Sequence, residues 1–385
     1  MSSSAPTPGV TSARPAPTSR FGKFWQRVSE GRDIEDLWSQ FAADARSSYG
    51  FYGKDLDWDE INQVPYWKRP FRIARQLFWA MMNKLTPARR VLLLIALVLL
   101  FLSGMHFQSG NTSFDLNGDL FAALIFLLLL SLELADKITM KRDLEIAREI
   151  QTWLVPSVPP VIPSAEVAFF TRPQNSVAGD YYDAFYPLND AASGGKLMLV
   201  MADVAGKSVP AALLMATMQA SLRTIASEGM PLTPLVTRLN HYACDHSLGG
   251  QRFTTAVLAE YDPATRRLSY VNAGHNSPVV RRANASTERL ESGGLPLGII
   301  PEAEFPSAEI QLQPGDTLVL FTDGVVEAFN SAGQEFSDPR WLNIIQELPN
   351  LNAQQTLQYL MKSVEDFVGS TRQSDDITCL VLRCS

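Results

Sequence analysis

Apolar and polar positions follow two different rhythms along this chain, and the change divides it. Between residues 71 and 155 apolar side chains recur at helical spacing or in unbroken runs, whereas beyond 163 they fall in short strand-like segments separated by turn residues. In 71–85, Phe71, Ala74, Phe78, Met81, Met82 and Leu85 lie opposite Arg72 and Arg75. That pattern predicts a basic amphipathic helix, suited to a membrane surface or to ordinary packing. Two apolar runs follow, 91–107 and 120–135, the second broken only by Ser131 and Glu133. About 20 residues cross a hydrocarbon core, so both runs are short, and a buried helical hairpin is the alternative reading. The lack of a polar face favours two membrane spans. Lys68, Arg69, Arg72, Arg75, Lys84, Arg89 and Arg90 precede the first run, and Lys137, Lys141 and Arg142 follow the second. The intervening 108–119 has no Lys or Arg, which predicts an inner-membrane protein with both ends in the cytoplasm. A cleaved signal peptide is not expected, because the first apolar run starts about ninety residues in.

From 133 to 155 the chain reads as one helix, with Leu134, Ile138, Leu144, Ala147, Ile150 and Leu154 forming an imperfect stripe. Such a stripe pairs with its copy in a homodimer or packs on the following domain; both remain open. Its continuity suggests that it couples the N-terminal half to the domain that follows. Pro156, Pro159, Pro160 and Pro163 end it, since proline lacks a donor and clashes with the preceding turn. Beyond 163 strands are predicted at 167–171, 181–186, 197–202, 254–261, 268–272, 279–282, 309–312, 317–321 and 377–382, and helices at 209–227, 234–245, 340–347 and 353–368. Hairpin-like strand spacing with segregated helices predicts an α+β domain of antiparallel sheets. The expected organisation is a disordered Ser/Thr/Ala/Pro tail over 1–20, an aromatic-rich segment of unassigned role over 21–88, a transmembrane hairpin over 89–136, a linker helix over 137–155 and a catalytic domain over 156–385.

Composition narrows the function. A chain of 385 residues with 46% hydrophobic content has ample material for a large core. Its net charge of -7, with no basic stripe beyond 163, excludes a nucleic-acid footprint. Cys244, Cys379 and Cys384 have no disulfide-framework or zinc-ribbon spacing and point to a reducing compartment.

Four acidic motifs carry the chemistry: Ala178-Gly179-Asp180-Tyr181-Tyr182-Asp183, Asp203-Val204-Ala205-Gly206-Lys207, Thr322-Asp323-Gly324-Val325 and Ser374-Asp375-Asp376-Ile377-Thr378. Three of them begin or end an apolar run, so a sheet can bring their carboxylates to one rim. A phosphomonoester dianion repels nucleophiles, and divalent cations both neutralise it and activate water. Oxygen-rich ligands free of cysteine suit Mg²⁺ or Mn²⁺. Each motif alone also reads as a turn; their combination points to a metal-dependent phosphatase.

Residues from about 145 to 383 resemble the metal-dependent (PPM, type 2C) protein serine/threonine phosphatases, in the bacterial branch of stage II sporulation protein E and the sigma-regulation phosphatases. Besides the four motifs, the resemblance runs through Leu144-Glu145-Ile146-Ala147-Arg148-Glu149-Ile150-Gln151, Ala211-Ala212-Leu213, Phe253-Thr254-Thr255, Asn272-Ala273-Gly274-His275-Asn276-Ser277-Pro278, Gly294-Leu295-Pro296-Leu297-Gly298 and Gly315-Asp316. It implies an α-β-β-α sandwich of antiparallel sheets, here preceded by the two-helix transmembrane hairpin. It further implies two Mn²⁺ or Mg²⁺ ions bridged by Asp203, with the Val204 carbonyl, Asp180, Asp323 and Asp375 as ligands and Asp203 and Asp323 as the catalytic pair. Asp183 and Asp376 are secondary candidates, and His275 is read as a neutral turn histidine before a general acid.

Two positions depart from the family pattern: Ala178 and Ser208 stand where glycines are usual, which puts loop shape in doubt. No histidine follows Asp203 as a general acid, and Arg172 is the nearest upstream candidate for the phosphate. His241, Cys244 and His246 form a weak zinc pattern, and Trp153 reads as a packing residue. The expected activity is hydrolysis of phosphoserine or phosphothreonine on a partner protein, which the resemblance implies is an anti-sigma-factor antagonist, by a membrane-anchored enzyme touching lipid. A non-catalytic phosphoprotein scaffold of the same fold and a small-molecule phosphate hydrolase are the alternatives.

Overall fold

The computed structural model describes residues 58–385 except 104–105, 110–111, 116–117, 189–194, 247–251 and 292, with isolated positions before 58. The tail expected over 1–20 and most of the aromatic segment up to 57 lie outside the described residues. The chain divides into two compact units between Asp136 and Lys137.

The first unit contains α1 (Trp58–Asn62), α2 (Arg69–Lys84), α3 (Pro87–Leu102), the two-stranded ribbon β1 (His106–Ser109) and β2 (Thr112–Asp115), and the start of α4 (Asp119–Leu154). Pro70 and Pro87 lie in the first turns of α2 and α3, where a missing donor costs nothing. The amphipathic α2 buries Ala80 and Met82 and exposes Phe71 and Trp79, while Arg72 and Arg75 reach Glu60 of α1 at 2.8 and 3.8 Å.

Among the described residues no helix is long and apolar enough to cross a membrane. This corrects the transmembrane hairpin expected over 89–136. The run 91–107 leaves the helix after Leu102 and enters β1, so its helical apolar part rises only about 18 Å against about 30 Å of hydrocarbon. In α4 the apolar stretch is bracketed by Asp119 and by Glu133 and Asp136, both of which pair with Arg89 at the start of α3, at 2.7 and 2.6 Å.

The second unit is a four-layer sandwich. After the end of α4 come β3 (Ala165–Arg172), β4 (Asp180–Phe185), β5 (Leu197–Val204), α5 (Val209–Ala226), α6 (Leu232–Asp245), β6 (Thr254–Asp262), β7 (Arg267–Ala273), β8 (Val279–Arg281), β9 (Thr287–Arg289), β10 (Ala308–Gln311), β11 (Thr317–Phe321), α7 (Asp323–Val326), α8 (Asp338–Gln346), α9 (Ala353–Val368) and β12 (Ile377–Cys384). One antiparallel sheet has the order β10-β7-β6-β5-β4 and the other β3-β12-β11-β8-β9.

Strand parity builds the layers. On β5, Met198, Val200, Ala202 and Val204 face α5 and α6, whereas Leu197, Leu199 and Met201 enter the space between the sheets. On β12, Leu380 and Leu382 meet them there, and Ile377, Cys379 and Val381 face Trp341 of α8 and Leu357 and Leu360 of α9. Both interior strands are buried on two faces, and a one-residue slip would exchange every contact. In this unit the elements not expected from the sequence are β9 and the short α7; in the first unit they are α1, β1 and β2.

Candidate metal-binding site at the sheet edges

Acidic residues from both sheets converge on one edge of the sandwich. Asp180 opens β4, Asp203 is the penultimate residue of β5, and the two are direct antiparallel partners. Parity gives them the inter-sheet face shared by Tyr182 and Met201. Asp323 opens α7 just after β11, and Asp375 and Asp376 immediately precede β12. Because β11 pairs with β12, with Phe321 opposite Cys379, the second sheet delivers its carboxylates to the same edge.

Hydrogen bonds lock the two sheets together here. Asp180 Oδ2 accepts from Thr378 Oγ1 at 2.5 Å and from Thr322 Oγ1 at 2.9 Å, so two hydroxyls of one sheet hold a carboxylate of the other. Thr378 N in turn donates to Thr322 Oγ1 at 3.0 Å. The Asp376 carboxylate accepts from the backbone N–H groups of Gln174 (2.6 Å) and Gly179 (2.7 Å), fixing the loop that leads into β4. The same loop is gripped by Gln151 of α4, whose amide donates to the Ala178 carbonyl and accepts from its N–H at 2.8 and 2.9 Å.

Glycine allows the close approach. A Cβ on Gly179 would lie 3.2 Å from the Val204 carbonyl and 3.5 Å from Asp203 Oδ1, and one on Gly324 would run into the Asp376 carbonyl.

The cluster carries more negative charge than it neutralises. Burial and then the neighbouring Asp203 push Asp180 well above the usual carboxylate range. Burial, followed by the charges of Asp323, Asp375 and Asp376, raises Asp203 to about 7. Burial and then Asp375 raise Asp323. The nearby ammonium is that of Lys207, which donates to Asp375 Oδ2 at 2.8 Å and to the Ser374 carbonyl at 3.0 Å; the hydrogen bond to Asp375 raises its pKa.

Among the described residues no three His, Cys, Asp or Glu side chains stand close enough, as placed, to enclose one ion. The donor chemistry nevertheless fits a hard divalent cation. Such ions keep several waters and need few direct carboxylates, and Asp180, Asp203 and Asp323 are pushed towards protonation by burial and by neighbouring carboxylate charge. Asp180, Asp203, Asp323, Asp375 and the Val204 carbonyl are the groups that would hold them.

The remaining candidates are placed differently. Asp183 lies on the opposite face of β4, wholly buried, where Arg223 of α5 grips both its oxygens at 2.8 Å and Tyr181 donates at 2.6 Å; it does not reach the cluster. Asp376 serves as a backbone anchor. His275 is buried behind the site, its Nδ1 2.8 Å from the hydroxyl of Thr255, which is the β6 partner of Asp203. Burial lowers its pKa to about 4, which the nearby Phe321 carbonyl opposes only in part, so the ring is neutral. Asn272 brackets the turn by accepting from His275 N and donating to its carbonyl.

Arg172 is engaged by Gln373 and Glu365. His246 stacks on Tyr242, and Cys244 contacts Asn240, an arrangement with no zinc-like convergence. Trp153 is exposed. Of the two glycine replacements, Ser208 has φ 64° and ψ -146°, whereas Ala178 has no positive φ.

Thr322, Thr378, Lys207 and Gln151 are the functional side chains to which sequence reasoning assigned no role. Each sits inside or beside an acidic motif or the linker-helix motif, and that adjacency was the available signal.

Residues 193–385 match the family described as Stage II sporulation protein E (SpoIIE). The chain is 26% identical over 267 residues to Protein IcfG of Synechocystis sp., covering 62% of this chain and 41% of that protein. It is 27% identical over 248 residues to phosphoserine phosphatase RsbU of Bacillus subtilis, covering 63% of this chain and 70% of RsbU. It thus spans less than half the length of IcfG. Among solved structures, the SiaA-PP2C domain of Pseudomonas aeruginosa aligns with a TM-score of 0.56 at 19% identity, over 65% of this chain and 99% of that domain, a likeness of fold.

Proposed function

The chain belongs to the stage II sporulation protein E (SpoIIE) family, and from that premise we propose that it is a metal-dependent protein phosphatase acting on phosphoserine or phosphothreonine. The observation that carries the reading is the pairing of Asp180 with Asp203 at an edge where Asp323 and Asp375 of the other sheet also stand. Two Mn²⁺ or Mg²⁺ ions, when bound there, would neutralise the phosphate and activate water. Asp203, lying among the other acids, and Asp180, Asp323, Asp375 and the Val204 carbonyl are the groups that would hold them. Thr322 and Thr378 orient the Asp180 carboxylate, and Asp376 holds the preceding loop. Lys207 places a positive charge at the rim where a phosphate dianion arrives.

Manganese-dependent hydrolysis of p-nitrophenyl phosphate by the full chain, beside Asp203→Ala and Asp323→Ala, tests this. Activity lost in both variants supports it; activity retained in both sinks it. A catalytically weak scaffold is favoured by the Lys207–Asp375 ion pair, which already uses one ligand. Its signature is a wild type that neither hydrolyses the ester nor binds Mn²⁺.

The partner we favour is a phosphorylated anti-sigma-factor antagonist, on the strength of the family resemblance and the likeness to a phosphoserine phosphatase. Pairing with a second copy is supported by the exposed Ile138, Ile146, Ile150 and Trp153 along α4. Contact with anionic lipid headgroups is supported by α2, which carries exposed Phe71 and Trp79 on the same helix as Arg72 and Arg75. A cytoplasmic setting for the phosphatase unit is supported by Cys379 and Cys384, which are buried as thiols and not joined in a disulfide. Vesicle flotation and sedimentation of the full chain test the lipid and dimer readings in turn.

A further inference from the structure

Beside the acidic cluster lies a cleft of opposite character. It has a volume of about 440 Å³ and is lined by Arg148 of α4 and Arg372 of the segment before β12, with Gln174, Asn175, Ser176 and Ser208 among its polar walls and no Asp or Glu on them. Neither guanidinium has a hydrogen-bond or ion-pair partner among the described residues, although other cations of this region are engaged: Arg172 by Glu365, Arg223 by Asp183 and Lys207 by Asp375. Two unpaired guanidinium groups lining one cleft, in a chain of net charge -7, make a local positive site in an otherwise acidic protein.

The cleft belongs to the edge where the acids converge. The N–H of Gln174 donates to Asp376, and Ser208 directly follows Lys207, whose ammonium rests on Asp375. A chain lying across this edge with its phosphate at the cluster would bring neighbouring side chains to the arginines. Planar guanidinium forks match carboxylates in bidentate geometry, and the amides and hydroxyls of the wall add neutral donors.

Resting on the phosphatase reading above, we infer that the Arg148–Arg372 cleft is a specificity site that receives a carboxylate side chain of the substrate protein close to its phosphorylated serine. The open polar walls and the two guanidinium groups suit an Asp or Glu side chain, with room for its neighbours. Arg148 contributes from α4 and Arg372 from the strand approach, so recognition depends on two separate elements being in register.

The test compares two phosphoserine peptides that differ only in carrying Asp or Ala beside the phosphoserine. The full-length wild type should show a kcat/KM about tenfold higher for the acidic peptide, and the Arg148→Gln/Arg372→Gln variant should reduce that ratio to about one. The Arg148→Lys/Arg372→Lys variant, which keeps charge but not the fork, should retain an intermediate preference. Equal kcat/KM for both peptides in the wild type, or an undiminished preference in the Gln variant, overturns the inference. Binding of the same peptides to the full-length Asp203→Ala chain, read by fluorescence anisotropy with and without the arginine substitutions, decides the matter independently of turnover. Tighter binding of the acidic peptide that is lost with the arginines supports the site even where hydrolysis of p-nitrophenyl phosphate shows the phosphatase reading to be wrong.

Discussion

The hydroxyl of Thr378 donates to the carboxylate of Asp180 at 2.5 Å, so a side chain of the second sheet orients an acid of the first. Thr322 makes the same contact at 2.9 Å. The bond holds a group that burial and Asp203 otherwise drive towards protonation. Removing one donor therefore weakens the ionised form that a metal requires. Thr378→Val is expected to lower Mn²⁺ affinity by about 10- to 100-fold, the usual cost of losing such a supporting contact. Titration calorimetry of the full chain measures it; an unchanged affinity would show that Asp180 is oriented by other means.

Ser208 holds φ 64° and ψ -146°, a region that is nearly glycine-only. The strain of about 1–3 kcal/mol exceeds the extra chain entropy of glycine, about 0.5–1 kcal/mol. Ser208→Gly should therefore stabilise the protein by about 1 kcal/mol. Ala178 has no positive φ, so Ala178→Gly should destabilise by a similar amount. Urea unfolding of both variants gives opposite signs if the backbone account is right, and the same sign if it is not.

Asp183 tests the separation of structure from chemistry. Its buried carboxylate joins Tyr181 to Arg223, which also lies over the Phe185 ring at 4.3 Å. Asp183→Ala leaves the Tyr181 hydroxyl unpaired and Arg223 without its anion. Arg223 is 42% exposed, so water recovers part of the loss, and the expected cost is about 2 kcal/mol. Mn²⁺ stoichiometry should not change; a lost site would return Asp183 to the metal cluster.

The sandwich was readable because interior strands keep strict parity: β5 and β12 divide their side chains between two cores, and each run shows the apolar content that two-sided burial needs. β9, Thr287-Glu288-Arg289, has two exposed residues and one half-buried one and offers no such pattern. At the site, the motifs located the acids but not their facing. Asp180 and Asp183 lie three residues apart, and on a strand that odd spacing sets them on opposite faces, a rule the motif itself hides. Thr322 and Thr378 read as ordinary strand-end residues until the two sheets meet. The hairpin over 89–136 failed for a different reason. Apolarity was visible, but the exit of the chain from α3 after Leu102 was not, and the capture of Glu133 and Asp136 by Arg89 depends on contacts between distant residues.

His275 gives the fold a pH dependence of known sign. The ring is buried, bound at Nδ1 to Thr255, and its pKa falls from 6.5 to about 4. Above the unfolded value both native and unfolded chains hold the ring neutral, and its contribution is fully present. As pH drops from 6.5 towards 4 the unfolded chain gains a proton that the native ring refuses, so stability is lost, by about 3 kcal/mol when the native ring is finally protonated. The raised carboxylates Asp180, Asp203, Asp323 and Asp376 act in the opposite direction in the metal-free protein, since their protonation favours the folded state as pH falls. The histidine is therefore isolated by difference. His275→Gln keeps a polar group against Thr255 and cannot titrate. Urea unfolding of the chelator-treated wild type and variant at about pH 7.5 and about pH 4.5 should show the wild type losing about 2.5 kcal/mol more than the variant over that interval. Equal losses would mean that the ring is already charged, or solvated, in the native fold.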